Sequence, residues 1–197
     1  MPLKTFDEYV TLAEAAHGHI CAGQILGLRL AIHGLELLGL DDPTGAHRKR
    51  LITFVEIDRC VTDAVQVVTG CRMGKRALKF RDFGKAAATF CDLQQDRAVR
   101  VAALESAKAR AAELYPGIAG RNAQQMAAYR EMPAHDLFSS AWVRVRIDPE
   151  DLPGYKGPRV SCAGCGEGIS FGRQVDKGGL VLCRSCAGDR YYGAVEA

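Results

Sequence analysis

The sequence has no stretch approaching the roughly 20 consecutive apolar residues of a membrane-spanning helix, which argues against a helical membrane protein. Its first residues, Met-Pro-Leu-Lys-Thr-Phe-Asp-Glu, carry no apolar signal core, so the expectation is a cytoplasmic protein with no membrane partner. Charge of one sign is scarce: 26 Lys and Arg face 23 Asp and Glu, and a net charge of +3 is too small to point to nucleic acid by itself. Internal repeats and low-complexity tracts are absent too, which leaves an ordinary globular chain. With 197 residues, 48% of them hydrophobic, it can bury one sizeable core. A domain of about 150 residues buries roughly 70% of its unfolded surface, so no disulfide is required for stability.

Cysteine is what the chain does have. Its eight cysteines lie at positions 21, 60, 71, 91, 162, 165, 183 and 186. In a reducing compartment they serve metals or chemistry more often than disulfides. Four stand singly in the first half and four form two close pairs near the end, on either side of a Pro- and Gly-rich stretch over residues 148–158 that reads as a linker. The expected organisation is a core domain over residues 1–148, a linker over 149–158 and a four-cysteine finger over 159–197.

Local signals place the elements of the core. Thr5 and Glu8 make a capping-box pattern ahead of a first helix that carries Phe6, Tyr9, Ala13 and Ala16 at helical spacing. A second, largely apolar helix should run from Ala22 to Leu38 and end at Gly39, with Gly23 and Gly27 forming a small-residue stripe where another backbone can come close. Residues 51–57 read as a strand, Asp58 as the cap of a third helix, and Gly70 as its stop. Three further strands are expected over residues 76–83, 86–93 and 97–104, and their short connections imply antiparallel pairing. A helix over 105–114, another opened by Asn122 and ended by Pro133, and an alternating strand over 142–147 complete an α+β domain, an antiparallel sheet with packed helices.

Within the core, His17-Gly18-His19-Ile20-Cys21 packs two imidazoles and a thiol into five positions. An extended backbone would put all three side chains on one face, and a helical one would align His17 with Cys21. Cys21 should sit at or near the N-terminus of the second helix, where the peptide dipoles favour thiolate. The plainer alternative is a small buried cysteine beside two surface histidines. Cys60 falls in the first turn of the third helix, so that two helix N-termini converging would make a natural metal site. Cys71 lies eleven residues on, ~16 Å away along a straight helix, and can share an ion with Cys60 only if Gly70 turns the chain back or a second subunit intervenes. Asp63, one turn from Cys60, is either a general base or outer-sphere acceptor, or else a carboxylate that merely complements the helix dipole. Cys91, inside a strand, reads as core filling.

The tail carries the sharpest signal. Cys162-Ala-Gly-Cys165 and Cys183-Arg-Ser-Cys186, separated by seventeen residues, have the spacing of a four-thiolate structural zinc site, and such a small domain, of treble-clef or ribbon type, folds on its metal. Six basic against four acidic side chains from Leu152 onward, offset by the charge of four thiolates around Zn²⁺, leave the finger close to neutral. Nucleic acid is therefore not the expected partner.

Taken together, His-Gly-His-x-Cys-x-Gly, Cys-x-x-Asp-Ala-x-Gln and Thr-Gly-Cys-x-x-Gly-Lys, followed by the paired cysteines, resemble the FmdE family of formylmethanofuran dehydrogenase proteins, with similarity over about residues 6–145 and a tail like the treble-clef finger of some members. The resemblance implies an α+β core that forms homodimers and association with the other chains of a molybdenum or tungsten oxidoreductase. It also implies a pocket lined by His17, His19, Cys21, Cys60 and Cys71, with zinc as the expected second metal. Ala22 departs from the proline expected after that cysteine. On this reading the chain is an FmdE-like metal-binding protein, an accessory subunit if it joins such an oxidoreductase, with a core metal pocket; if that pocket is catalytic, Cys21 or a metal-bound water would be the nucleophile, with Asp63 or His17 as proton carrier. The rivals are an adaptor that binds protein or nucleic acid through its finger, and a metal-sensing or metal-delivery protein.

Overall fold

In the computed structural model, which describes residues 3–193, helix α1 (Phe6–His17) opens with both halves of a capping box. The Thr5 side chain accepts from the Glu8 N–H at 3.3 Å, and Glu8 Oε2 accepts from the Thr5 N–H at 2.8 Å. The helix stops at Gly18, whose φ of +90° suits a residue without a Cβ. Cys21 then caps α2 (Ala22–Leu38), which is buried on nearly every side and ends at Gly39 in the left-handed conformation. Ile25, Leu28 and Leu35 of α2 are wholly buried, and the Phe90 ring packs so closely on Gly34 that a Cβ there would lie 2.3 Å from it.

Helix α3 (Cys60–Thr69) lies against the glycine stripe of α2. A Cβ on Gly27 would stand 2.6 Å from the Val61 carbonyl oxygen and 2.7 Å from the Ala64 Cβ, so the close approach expected of these glycines is made. Asp58 does not cap the helix. That position belongs to Arg59, whose side chain makes no capping bond, and Cys60 is the first helical residue.

Five strands form one sheet: β1 (Leu51–Val55), β2 (Leu78–Phe80), β3 (Ala87–Asp92), β4 (Arg97–Ala103) and β5 (Phe138–Val143), in the order β2-β1-β3-β4-β5. Pairing is antiparallel except between β1 and β2, which run parallel with Thr53 opposite Leu78. That corrects the expectation of consecutive antiparallel neighbours. A parallel pair needs a crossover, and α3 with the 3₁₀ turn Met73–Lys75 supplies it. Strand β5 also starts four residues before its expected place. Its pairing ends at Val143 opposite Ala98, where β4 is running out, so the alternation beyond it has no ladder to join.

Helices α4 (Ser106–Leu114), α5 (Arg121–Glu131) and α6 (Ala134–Leu137) fill the connection between β4 and β5. Gly120, not Asn122, occupies the cap of α5. Its C-terminal end is held by Arg29 of α2, whose guanidinium donates to the carbonyls of Tyr129, Arg130 and Met132 at 2.7–2.8 Å, a good use of a cation where helix carbonyls lack partners.

The chain divides into two compact units, Met1–Arg146 and Ile147–Ala197. After a 3₁₀ turn at Pro149–Asp151, the second unit holds two short hairpins and a helix: β6 (Val160–Ser161) with β7 (Gly168–Ile169), β8 (Val175–Lys177) with β9 (Leu180–Leu182), and α7 (Arg184–Ala187). A knuckle, a hairpin and a terminal helix make a treble-clef arrangement. Residues 194–197 of the expected finger, including Glu196, lie outside the described residues.

Candidate metal sites in the core and the finger

The turn from α1 into α2 builds the core site. Because Gly18 reverses the chain after the last residue of α1, His17, His19 and Cys21 come to offer one ligand atom each within 4.8 Å of one another. The two imidazole rings lie 4.9 Å apart, tilted by 43°. His17 and Cys21 are half-buried and His19 is exposed.

Asp63, on the first turn of α3, reaches this cluster: its Oδ2 is 2.8 Å from His17 Nδ1. A carboxylate can only accept, so the contact suits the tautomer with its proton on Nδ1, in which Nε2 is the nitrogen with a lone pair to offer. Gln66, one turn further along α3, donates from Nε2 to Asp63 Oδ1 at 3.3 Å. The carboxylate is thus engaged on one oxygen by His17 and on the other by Gln66.

Cys60 stands beside Cys21. A Cβ on Gly23 would lie 3.7 Å from the Cys21 sulfur and 3.9 Å from the Cys60 sulfur. Cys60 falls outside the three-residue cluster itself. Burial first, and then the neighbouring Cys21 thiol, push the Cys60 thiol up, so it keeps its proton near neutral pH.

Cys71 is not brought to this site. It follows Gly70 at the far end of α3, is 3% exposed, accepts from Thr53 Oγ1 at 3.5 Å and lies 3.7 Å from the Leu51 carbonyl oxygen. Gly70 does end the helix, but the chain goes on into the sheet rather than doubling back along α3. Burial raises the Cys71 thiol, and burial raises Cys91 to about 12. Both are core residues.

Two positions that matter here carry no functional reading in the sequence. Asn122 accepts the Ala22 N–H on its Oδ1 at 2.9 Å and so pins the N-terminus of α2 beside Cys21. Its partner is 100 residues away, beyond any local pattern. Gln66 sits inside the quoted Cys-x-x-Asp-Ala-x-Gln motif, and its spacing of three from Asp63 is the available signal.

In the second unit Cys162, Cys165, Cys183 and Cys186 gather within 4.8 Å of one another. Four sulfurs placed ~2.3 Å from a tetrahedral zinc are about 3.8 Å apart, and Cys165 and Cys183 already stand at 3.9 Å. Backbone N–H groups support the cluster: Gly164 and Cys183 donate to Cys162 Sγ at 3.3 and 3.2 Å, and Cys186 donates to Cys183 Sγ at 3.3 Å. The Cys183 N–H in particular holds the Cys162 thiol down to about 6, while the Cys183, Cys165 and Cys162 side chains push Cys186 up to about 12. So close a set cannot ionise together without a cation, which is the donor chemistry of a zinc site.

Comparison with known proteins finds relatives for both units. Residues 155–192 match the prokaryotic dksA/traR C4-type zinc finger. A solved structure from Syntrophus aciditrophicus, described as a tungsten formylmethanofuran dehydrogenase FmdE-like protein, shares the fold with a TM-score of 0.63 at 23% identity, covering 98% of this chain and 100% of that one. A protein of Archaeoglobus fulgidus described as a probable S-adenosyl-L-methionine-binding protein is 31% identical over 140 residues, 71% of this chain. The chain spans about a third of that relative, 33% of its length. Residues 16–139, more than half of the chain, match the family described as FmdE, molybdenum formylmethanofuran dehydrogenase operon, and the chain belongs to that family.

Proposed function

We propose that this FmdE-family protein holds a second, exchangeable metal ion in its core, zinc by preference, on His17, His19 and Cys21, beside a structural zinc in the finger. The observation that carries the reading is the His17–Asp63 contact of 2.8 Å, backed by Gln66. A histidine whose far nitrogen is fixed by a carboxylate is the arrangement that orients metal ligands and raises their basicity.

Three protein ligands, one of them exposed, leave a coordination position for another molecule, as catalytic sites do and closed structural sites do not. The metal, when bound, supplies Lewis-acid polarisation of a ligand oxygen. The chain's own residues do the rest. Asp63 would keep the proton on His17 Nδ1, Asn122 fixes the start of α2, and Cys60, beside Cys21, would be the nearest further sulfur should the site take a fourth ligand. In this reading the protein works in the cytoplasm as a homodimer, accessory to the redox subunits of an oxidoreductase complex.

Elemental analysis of the full chain tests it. The wild type should hold two metal equivalents, Cys21→Ser one while remaining folded, and Cys165→Ser one, from the core. A wild type with one equivalent and a Cys165→Ser variant with none would refute the core site and favour an adaptor built on the finger.

A further inference from the structure

Gln24, one turn into α2, is fully buried, yet neither its Nε2 nor its Oε1 has a hydrogen-bond partner among the described residues. An unmet buried amide is costly, and Met or Leu would fill the volume without that cost. The residue therefore needs an explanation beyond packing. On a helix, positions three apart share a face and each Cα–Cβ bond leans toward the N-terminus, so the Gln24 side chain starts out on the face of Cys21 and leaning toward its turn.

Cys21 is the N-cap of α2, which makes Gln24 its third helical residue. These are the positions that exchange hydrogen bonds in a capping box: the cap side chain accepts from the backbone N–H of the third residue, whose side chain accepts from the N–H of the cap. Thr5 and Glu8 close such a box on α1. On α2 neither half is made, because Cys21 has no side-chain cap bond and Gln24 Oε1 has no partner. The finger shows what a cysteine cap does when it is a ligand: Cys183, the N-cap of α7, accepts from the Cys186 N–H at 3.3 Å. The sequence repeats the theme, since Cys21-Ala22-Gly23-Gln24 matches Cys162-Ala163-Gly164-Cys165 with Gln24 in place of the second ligand.

We propose that Gln24 is a positioning residue for the Cys21 sulfur. When Cys21 binds metal, its thiol proton leaves to solvent, the Gln24 carboxamide N–H donates to the thiolate and its Oε1 accepts from the Cys21 N–H. Both amide atoms, unpartnered among the described residues, would thus gain partners at a loaded Cys21. This inference rests on the core metal reading above.

Its consequence is a change of sign. Replacing Gln24 should help the metal-free protein and harm the loaded one, whereas a residue that only packs would move both the same way. The test is a Co²⁺ titration of the full chain with its finger zinc in place, following the sulfur-to-cobalt charge-transfer absorption, with Cys21→Ser to identify the core band. Gln24→Met and Gln24→Leu should each melt at or above the wild-type temperature when cobalt-free, bind Co²⁺ about tenfold more weakly, within the range seen when outer partners of metal ligands are removed, and shift the band to lower energy. Gln24→Glu, which keeps the acceptor but loses the N–H, should weaken binding at least as much. Wild-type affinity and an unmoved band in the Met and Leu variants would overturn the inference, as would their unfolding without cobalt. If the wild type shows no band sensitive to Cys21→Ser, the core metal reading falls and takes this inference with it.

Discussion

Gly27→Ala is the substitution through which the packing of α2 on α3 can be measured. An added methyl would lie 2.6 Å from the Val61 carbonyl oxygen, 2.7 Å from the Ala64 Cβ and 2.9 Å from the Val61 Cα. Non-bonded carbon prefers about 3.5–4.0 Å, so the helices must part by about 1 Å. Two of the three obstacles are backbone atoms and cannot swing aside. Overpacking of this kind costs about 3 kcal/mol, and exchanging Gly for Ala within a helix returns about 1 kcal/mol. The net loss is about 2 kcal/mol, which lowers the melting temperature of a unit this size by about 6 °C. The site should feel it as well, since Cys60 and Asp63 lie within two residues of Val61 and move with α3. Differential scanning calorimetry and a Co²⁺ titration on the same sample give both numbers. Gly74→Ala is the control, because a Cβ there meets nothing within 4 Å. A Gly27→Ala protein that melts within about 1 °C of wild type, and so outside the range expected of a real overpacking defect, would refute the close-approach argument.

Two further outcomes follow from single contacts. Asp63→Asn removes the charge that holds His17 Nδ1, and competition with a chelator should show core metal bound about tenfold more weakly with the finger zinc untouched; equal affinity would dismiss the positioning role. Burial of Asp92 opposes its ionisation, but bonds from Arg50 at 3.1 and 2.5 Å and from the Gln94 N–H outweigh it and hold the carboxyl below its ordinary range. A folded pKa below the unfolded value of about 3.9 means that this stability is full above that pH and is lost as pH falls through the folded pKa. Melting temperatures from pH 5 to pH 2 should therefore fall less steeply for Asp92→Asn than for wild type, from a starting point lower by about 2 kcal/mol because Arg50 loses its partner.

What the sequence reveals of this fold follows the range of each signal. The caps of α1 and α2, the glycine stripe and the paired cysteines of the finger are settled within a few residues, and the structure has them where local chemistry puts them. The parallel pairing of β2 with β1 depends on where a crossover returns the chain, and the start of β5 depends on where β4 ends. Neither is written in the strands themselves. The same holds in the site. His17, His19 and Cys21 converge because one glycine turn joins them, so a five-residue pattern is enough. Cys60 and Cys71 look alike as lone cysteines at the two ends of one helix, and only the direction taken after Gly70 separates the thiol beside Cys21 from the one bonded to Thr53. Asn122 reads as a helix opener because a cap is the commonest local use of its side chain. Its actual partner, the Ala22 N–H, belongs to another helix.

The two cysteine centres differ in how much of their coordination the chain supplies, and that difference separates their roles. In the finger, four sulfurs share a site braced by N–H donors, so no position is left for a second molecule and release of the ion removes what folds so small a unit. In the core, three ligands converge on a turn whose own helices are held by apolar burial, so the unit keeps its fold whether or not an ion is bound. On the proposed reading an ion held there by three residues, one of them exposed, would be free to exchange. Cys60 decides between two states of such a site. Outside the three-residue cluster, as it stands here, it would leave the position open for a ligand; drawn in as a fourth sulfur, it would close the core as the finger is closed. Substituting Cys60 by Ser should for that reason leave the core metal bound and its open position accessible, while substituting Cys21 should remove the ion.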